Sequence, residues 1–219
     1  LVEWRGKRTV AITAKDIDPK KIDIEAMKKI RSSILLLGSL SARFDTFTFH
    51  HPGGCVIRAR PVGTHFDALQ KMGIDIKGDG KKYTVDASKK HCAEIILREF
   101  SVTATENIMM LASSLPGKTI IKIAATEPHV EDLGKFLIAL GAKIRGLGTH
   151  TLEIIGSEKL CGAKHTVIPD HNEAGTFLIL GVATGSPITV KNARVEHLDL
   201  VLEKLREFGA DFVIEKNAI

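Results

Sequence analysis

A chain of 219 residues with 44% hydrophobic content has the length of one large or two small domains and the make-up of an ordinary globular protein. Its longest apolar runs, such as residues 34–37 and 177–180, are far too short to cross a bilayer, and the opening LVEWRGKRTVAIT has no signal-peptide layout, so neither a membrane partner nor secretion is expected. The net charge of +5 favours an anionic partner, but 5% aromatic residues give few platforms for stacking bases, which puts a small anionic ligand ahead of nucleic acid.

In chain order, residues 5–13 (RGKRTVAIT) read as the second half of a hairpin, like GKKYTVDA at 80–87. A helix start falls near Arg31, and a strand follows at about 47–49. The stretch HHPGGCVIRARP, residues 50–61, is a loop, and an apolar helix then stops at Gly73. A strand is expected at 93–97, a helix at 104–115, a β-branched strand at 119–123 and a helix at 130–140 that stops at Gly141. Residues 142–155 predict a hairpin turning at Gly146 and Gly148. Further elements are a strand at 165–168, a helix at 172–183 capped by Asn172, a strand at 188–191, a helix stopping at Gly209, and half a hairpin in VIEKNAI. Half-hairpins at both ends would leave strand edges unpaired, so the chain is expected to be a fragment of a longer one.

The order is periodic. LQKMGIDIK, LIALGAKIR and LREFGADFV carry their junction glycines, Gly73, Gly141 and Gly209, at intervals of 68 residues, and Gly117 and Gly185 repeat the interval. Two independent anchors with one spacing imply a duplicated β-α-β-α-β-β unit and an α/β layering of helices on sheets. The first copy is longer by four or five residues, all around HHPGGC. A loop enlarged in one copy is a natural place for function.

Cys55 follows Pro52-Gly53-Gly54 and precedes Arg58 and Arg60. The glycines let backbone N–H groups approach a ligand, and the arginines would stabilise a thiolate or bind an anion; the competing reading is a loop whose cysteine packs inward. His50 and His51 are neighbours on a strand and so point apart, which argues against a metal site there. No cofactor is implied. Three cysteines without CxxC spacing suit a reducing, cytoplasmic setting, and Cys92 and Cys161 read as structural, as do His91, His129, His150 and His197. Arg31, Thr103 and His171 occupy equivalent places at helix starts. There Arg31-Ser32-Ser33 and Ser101-Val102-Thr103 either hold phosphate groups or simply cap the helices.

PGGCVIRARPVGTH (52–65) resembles the active-site loop of the UDP-N-acetylglucosamine enolpyruvyl transferase family, and MKKIRSSILLLGSLSARF, SVTATENIMM, EPHVEDLGKFLIALGAKI and PDHNEAGTFL match it in order. The resemblance implies two lobes, each an inside-out α/β barrel of three such units. Residues 1–168 would be most of the catalytic lobe, lacking its start, and residues 169–219 the beginning of the second. It implies transfer of enolpyruvyl from phosphoenolpyruvate to the 3-hydroxyl of UDP-N-acetylglucosamine, the first committed step of peptidoglycan synthesis. Cys55 would protonate C3 of the enol, Arg60 would clamp the phosphate, and Arg31 would contact the nucleotide sugar. Pro61, Val62, Gly63, Thr64, Ser101, Val102 and Thr103 would line the uridine and diphosphate. Gly63, Glu99 and Thr103 depart from the family's frequent Asp, Lys and Gly. The family's Lys-Asn pair, aspartate base and further arginine fall outside these residues, so the chain needs the remainder of its two-lobe protein and is expected to be inactive alone. The alternatives are a non-catalytic binding module of the same fold and a 3-phosphoshikimate enolpyruvyl transferase, which the cysteine loop does not resemble.

Overall fold

The computed structural model describes residues 1–53 and 61–219. Residues 54–60, with Cys55, Arg58 and Arg60, lie outside the described residues. A hairpin of β1 (Val2–Gly6) and β2 (Thr9–Ile12) opens the chain, so the segment read as half a hairpin has its other strand at residues 2–6. Then follow α1 (Ile24–Lys29), a 3-10 turn at Arg31–Leu35, α2 (Leu36–Arg43), β3 (Thr46–His50), α3 (Gly63–Gln70), β4 (Asp75–Gly78) and β5 (Lys82–Asp86). The next unit is β6 (Glu94–Ile96), α4 (Val102–Ser113), β7 (Gly117–Lys122), α5 (Pro128–Leu140), β8 (Lys143–Arg145) and β9 (Thr151–Gly156). This is the expected β-α-β-α-β-β order. The last part holds α6 (His171–Thr184), a short 3-10 turn at Val195–His197 and α7 (Asp199–Glu207).

The duplication is visible in the sheets. The first has order β3-β5-β4, all antiparallel, and the second has order β6-β7-β9-β8, in which β7, β9 and β8 repeat that arrangement and β6 joins β7 in parallel. The junction glycines Gly73, Gly141 and Gly209 have φ of +81°, +117° and +87°. That left-handed conformation ends each helix and is open to glycine without a Cβ clash, which is why the glycine recurs with the unit.

Two sequence expectations change in the last unit. Residues 165–168 and 188–191 form no strand; the first segment has no backbone ladder partner, and the second is limited to Val190 exchanging hydrogen bonds with Ile219 and a single bridge from Lys191 to Ala218. β-branched composition needs a neighbouring strand before it becomes a ladder. Asp170, not Asn172, caps α6: its Oδ1 accepts from the Asn172 and Glu173 backbone N–H groups at 2.8 and 3.2 Å. A carboxylate serves better there, because it meets two free N–H groups and complements the positive end of the helix.

The hydrophobic interior forms two clusters. One runs from Met27 to Ile154, and the other gathers Ala174, Leu178, Ala193, Leu198, Leu202, Leu205 and Ile219. Each sheet buries one face of its strands on helices and exposes the other, as in the buried Phe47 and Phe49 of β3 between exposed threonines. At the centre of the first cluster is α4, buried nearly all round, in contact with α2, α3, α5 and β9. Thr105, Asn107 and Ser113 of this helix are fully buried. Just past β7, Ile123 adopts φ +60°, unusual for a β-branched residue. The turn lets the Ala125 N–H donate to Thr105 Oγ1 at 3.0 Å and Ala124 exchange hydrogen bonds with His150.

Close packing of α2 on α4 depends on Gly38. A Cβ there would lie 2.3 Å from the Asn107 carbonyl oxygen, and the Gly38 N–H donates to Asn107 Oδ1 at 2.6 Å. On helix propensity alone, Gly38→Ala would stabilise by about 1 kcal/mol; overpacking against backbone reverses the sign. We expect Gly38→Ala to destabilise by roughly 1–3 kcal/mol, read as a lower urea midpoint. Gly162→Ala, where nothing lies within 4 Å, should be close to neutral.

Candidate functional site

Three helix starts meet near the ends of the undescribed segment. Gly53, on one side of it, packs so tightly on α1 that a Cβ would lie 1.6 Å from the Lys28 carbonyl oxygen. Pro61, on the other side, accepts a hydrogen bond through its carbonyl from Arg31 Nη2 at 3.4 Å. Arg31 begins the 3-10 turn ahead of α2. The Ser33 hydroxyl is spent on the Met27 and Ile30 carbonyls, both at 2.8 Å, so this serine closes the local backbone rather than facing a ligand.

The first turn of α3 carries Gly63 and Thr64 and has no side-chain cap. Thr64 Oγ1 donates to Glu99 Oε1 at 2.7 Å, which ties that turn to the segment before α4. Ser101 caps α4, accepting from the Ala104 N–H at 3.4 Å. Among the described residues, no hydrogen bond is made by the N–H groups of Gly63, Thr64, Val102 or Thr103. Such first-turn N–H groups, with the helix dipole behind them, suit an anion.

His65, in the same turn as Thr64, links α3 to α4. It is 4% exposed, and its Nε2 lies 2.7 Å from Thr103 Oγ1. Burial, aided by the Arg31 charge, lowers its pKa from the ordinary 6.5 to about 4, while the Val62 carbonyl and Glu99 act weakly in the other direction. His51 is also shifted down, by burial and Arg31, and its Nδ1 is 3.3 Å from the Tyr83 hydroxyl. Both histidines are therefore neutral near pH 7, and Arg31 is the fixed cation between them.

The structure thus brings together Arg31, Pro61, Val62, Gly63, Thr64, Ser101, Val102 and Thr103. Cys55 and Arg60 lie outside the described residues. Two groups were missed by sequence reasoning. His65 stands inside the quoted PVGTH motif, yet its partner Thr103 is 38 residues away, a pairing that spacing cannot reveal. Glu106, 7% exposed on α4, has its pKa raised from 4.5 to about 7 by burial and then by the charge of Glu127. An acidic residue in an apolar stretch, NIMMLA following TATE, was its available signal. Elsewhere, His129, His171 and His197 form a chain of ring contacts at 5.8 and 6.4 Å where α5 and α6 begin. Among the described residues no cluster of His, Cys, Asp and Glu is arranged to hold a metal ion, and no helix is long and apolar enough to cross a membrane.

Two solved enolpyruvyl transferases share this architecture. NikO from Streptomyces tendae superposes with a TM-score of 0.77 at 19% identity, over 95% of this chain and 50% of that one. EPSP synthase from Acinetobacter baumannii superposes with a TM-score of 0.61 at 22% identity, over 85% of this chain and 43% of that one. The fold is therefore the α/β fold of enolpyruvyl transferases. The family described as EPSP synthase (3-phosphoshikimate 1-carboxyvinyltransferase) matches residues 1–219, and the chain belongs to it. Two relatives bear the name UDP-N-acetylglucosamine 1-carboxyvinyltransferase. That of Hydrogenovibrio crunogenus is 43% identical over 210 residues, 96% of this chain, and that of Finegoldia magna is 39% identical over 213 residues, 97% of this chain. The chain spans about half the length of these curated relatives, 50% of each.

The two shifted groups give opposite pH slopes. Unfolding lets His65 take up a proton between its folded value of about 4 and its ordinary 6.5, so its contribution is full above 6.5 and lost as pH falls towards 4. Unfolding makes Glu106 release a proton between 4.5 and about 7, so its contribution is full below 4.5 and lost as pH rises. Each is worth about 3 kcal/mol at most, and in their shared window they offset. Glu106→Gln should leave a stability that rises with pH from about 4 to 6.5, and His65→Leu one that falls from 4.5 to about 7. Urea denaturation across that range checks it; parallel profiles for the two variants would refute the assignment.

Proposed function

We propose that the chain is part of a UDP-N-acetylglucosamine enolpyruvyl transferase, with residues 1–168 forming most of the catalytic lobe, lacking its start, and residues 169–219 beginning the second. Each lobe would be an inside-out α/β barrel, helices within and sheets outside. The observation that carries the reading is the gathering of Arg31, Pro61, Thr64 and Thr103 at three helix starts, those of α3 and α4 with N–H groups that no other described residue engages, around the segment that holds Cys55. The names of relatives at 39 and 43% identity support the nucleotide sugar over shikimate 3-phosphate as acceptor, since the EPSP synthase structure is 22% identical.

In this reading the nucleotide diphosphate lies against the first turns of α3 and α4, and Arg31 contacts the sugar. The sugar 3-hydroxyl oxygen adds to C2 of phosphoenolpyruvate as Cys55 gives its thiol proton to C3; the hydroxyl proton goes to a carboxylate base outside these 219 residues. Arg60 holds the phosphate. The C2–O bond to phosphate then breaks as a proton returns from C3 to the Cys55 thiolate and the protonated base gives its proton to the departing phosphate, which yields the enolpyruvyl ether and inorganic phosphate and restores both groups. A thiol tuned by nearby cations matches a proton transfer near neutral pH. Glu99 facing Thr64 puts a negative charge beside the diphosphate, so nucleotide affinity would rest on Arg31 and the helix starts.

The test is intact-mass and peptide analysis after exposure to fosfomycin, an epoxide expected to alkylate the family's cysteine. One adduct on Cys55, formed faster with UDP-N-acetylglucosamine present, is the expected result. Cys161 is exposed and Cys92 partly so, which makes them internal controls; labelling of either ahead of Cys55 would sink the reading.

A further inference from the structure

His65 is buried at a cost that packing does not explain. Its Nδ1 makes no well-formed hydrogen bond among the described residues, the Val62 carbonyl approaching the ring only closely enough for a weak effect on its pKa. Burying an unpaired ring nitrogen is unfavourable, and an aliphatic side chain would fill the space without that penalty. What the imidazole gains is the bond to Thr103 Oγ1 at 2.7 Å.

That bond begins a chain of three. The Thr103 carbonyl accepts from Asn107 Nδ2 at 2.8 Å, and Asn107 Oδ1 accepts from the Gly38 N–H at 2.6 Å. Asn107 is fully buried, and Gly38 is in the first turn of α2, so the side chain of one helix satisfies a free N–H of another. The series runs from the third residue of α3, through the second residue of α4, into the first turn of α2. It passes beside the N–H groups of Gly63, Thr64, Val102 and Thr103, which make no hydrogen bond to another described residue. Thr64 to Glu99 makes a second tie, on the solvent side.

We propose that His65 is a positioning residue of the nucleotide-sugar site: acting through the Thr103 hydroxyl, it holds the first turn of α4 against the first turn of α3, so that the N–H groups of both turns present one preset surface to a nucleoside diphosphate. The inference rests on the reading that these turns face the diphosphate. The Thr103 hydroxyl is engaged with the ring, so the ligand meets the Thr103 backbone and not its side chain. Holding two donor arrays in register before the ligand arrives removes an ordering cost from binding. A neutral imidazole suits the task, because a second cation beside Arg31 would be repelled by it; both burial and Arg31 oppose charging.

The test measures UDP-N-acetylglucosamine affinity of this chain by titration calorimetry at pH 7.5. Thr103→Val keeps the side-chain shape and removes the hydroxyl. The expected result is about a tenfold loss of affinity in Thr103→Val and in His65→Leu, with the double variant no weaker than either single one, and recovery in Thr103→Ser. Coupled residues are non-additive in this way. Lower thermal stability with unchanged affinity would make the bond structural and overturn the proposal. Loss in Thr103→Val but not in His65→Leu would mean that the hydroxyl meets ligand directly, which also overturns it. No binding by the unsubstituted chain overturns the diphosphate reading itself, and the inference with it. Should the variants not fold, imidazole nitrogen NMR of the unsubstituted chain decides: His65 should stay neutral at pH 6 and its Nε2 shift should respond to the nucleotide sugar, and a shift indifferent to saturating ligand overturns the proposal.

Discussion

The way α2, α3 and α4 meet depends on one buried amide. Asn107 sits inside an apolar helix, and its side chain serves two masters: it accepts from the Gly38 backbone and donates to the Thr103 carbonyl. Without it, α2 would present an unsatisfied N–H to the interior, and α4 would lose the contact that fixes its first turn. Its neighbour Thr105 does similar work on the other side, accepting from Ala125 and so fixing the path between β7 and α5. An apolar α4 would pack as densely, but it would not specify the angle and height at which the surrounding elements meet it. Polar groups in this core set geometry, and the hydrophobic ones supply the driving force.

Charge is arranged with similar economy. A net charge of +5 suggested an anionic partner, yet among the described residues the starts of α3 and α4 are not a bed of cations. Arg31 stands between two histidines held neutral, and Glu99 brings an opposing charge to Thr64. Among the described residues, what these starts offer an anion is backbone dipoles and the Arg31 guanidinium, which are directional, rather than a diffuse positive field.

The repeat made much of the fold legible. Glycines at an interval of 68 residues marked helix ends because the left-handed turn is a backbone requirement, which sequence displays directly. Strands β7 and β9 and helices α4 and α5 followed from local pattern. The last unit was less legible, because ladders at 165–168 and 188–191 need partners that local composition cannot announce. Of the site, Arg31 and Thr103 were marked by the repeat as helix starts, and Pro61 and Thr64 by motif resemblance. His65 and Asn107 were not, since their value lies in partners 38 and 69 residues away. Asp170 displaced Asn172 as a cap because the helix begins at His171, ahead of its apolar pattern, which leaves Asn172 inside the first turn.

Ile123 has a meaning of its own. Its left-handed backbone sets a β-branched side chain against the steric preference of an L-amino acid, at a cost of about 1–2 kcal/mol, while the side chain still packs against the core. Glycine would relax the backbone but would surrender that packing, so the chain has settled between two incompatible demands. The corner where β7 gives way to α5 is thus under tension in the folded state. It is a point from which that segment would recoil first if the contacts of Ala124 and Ala125 were cut, much as a bent rod straightens when its clamp is removed.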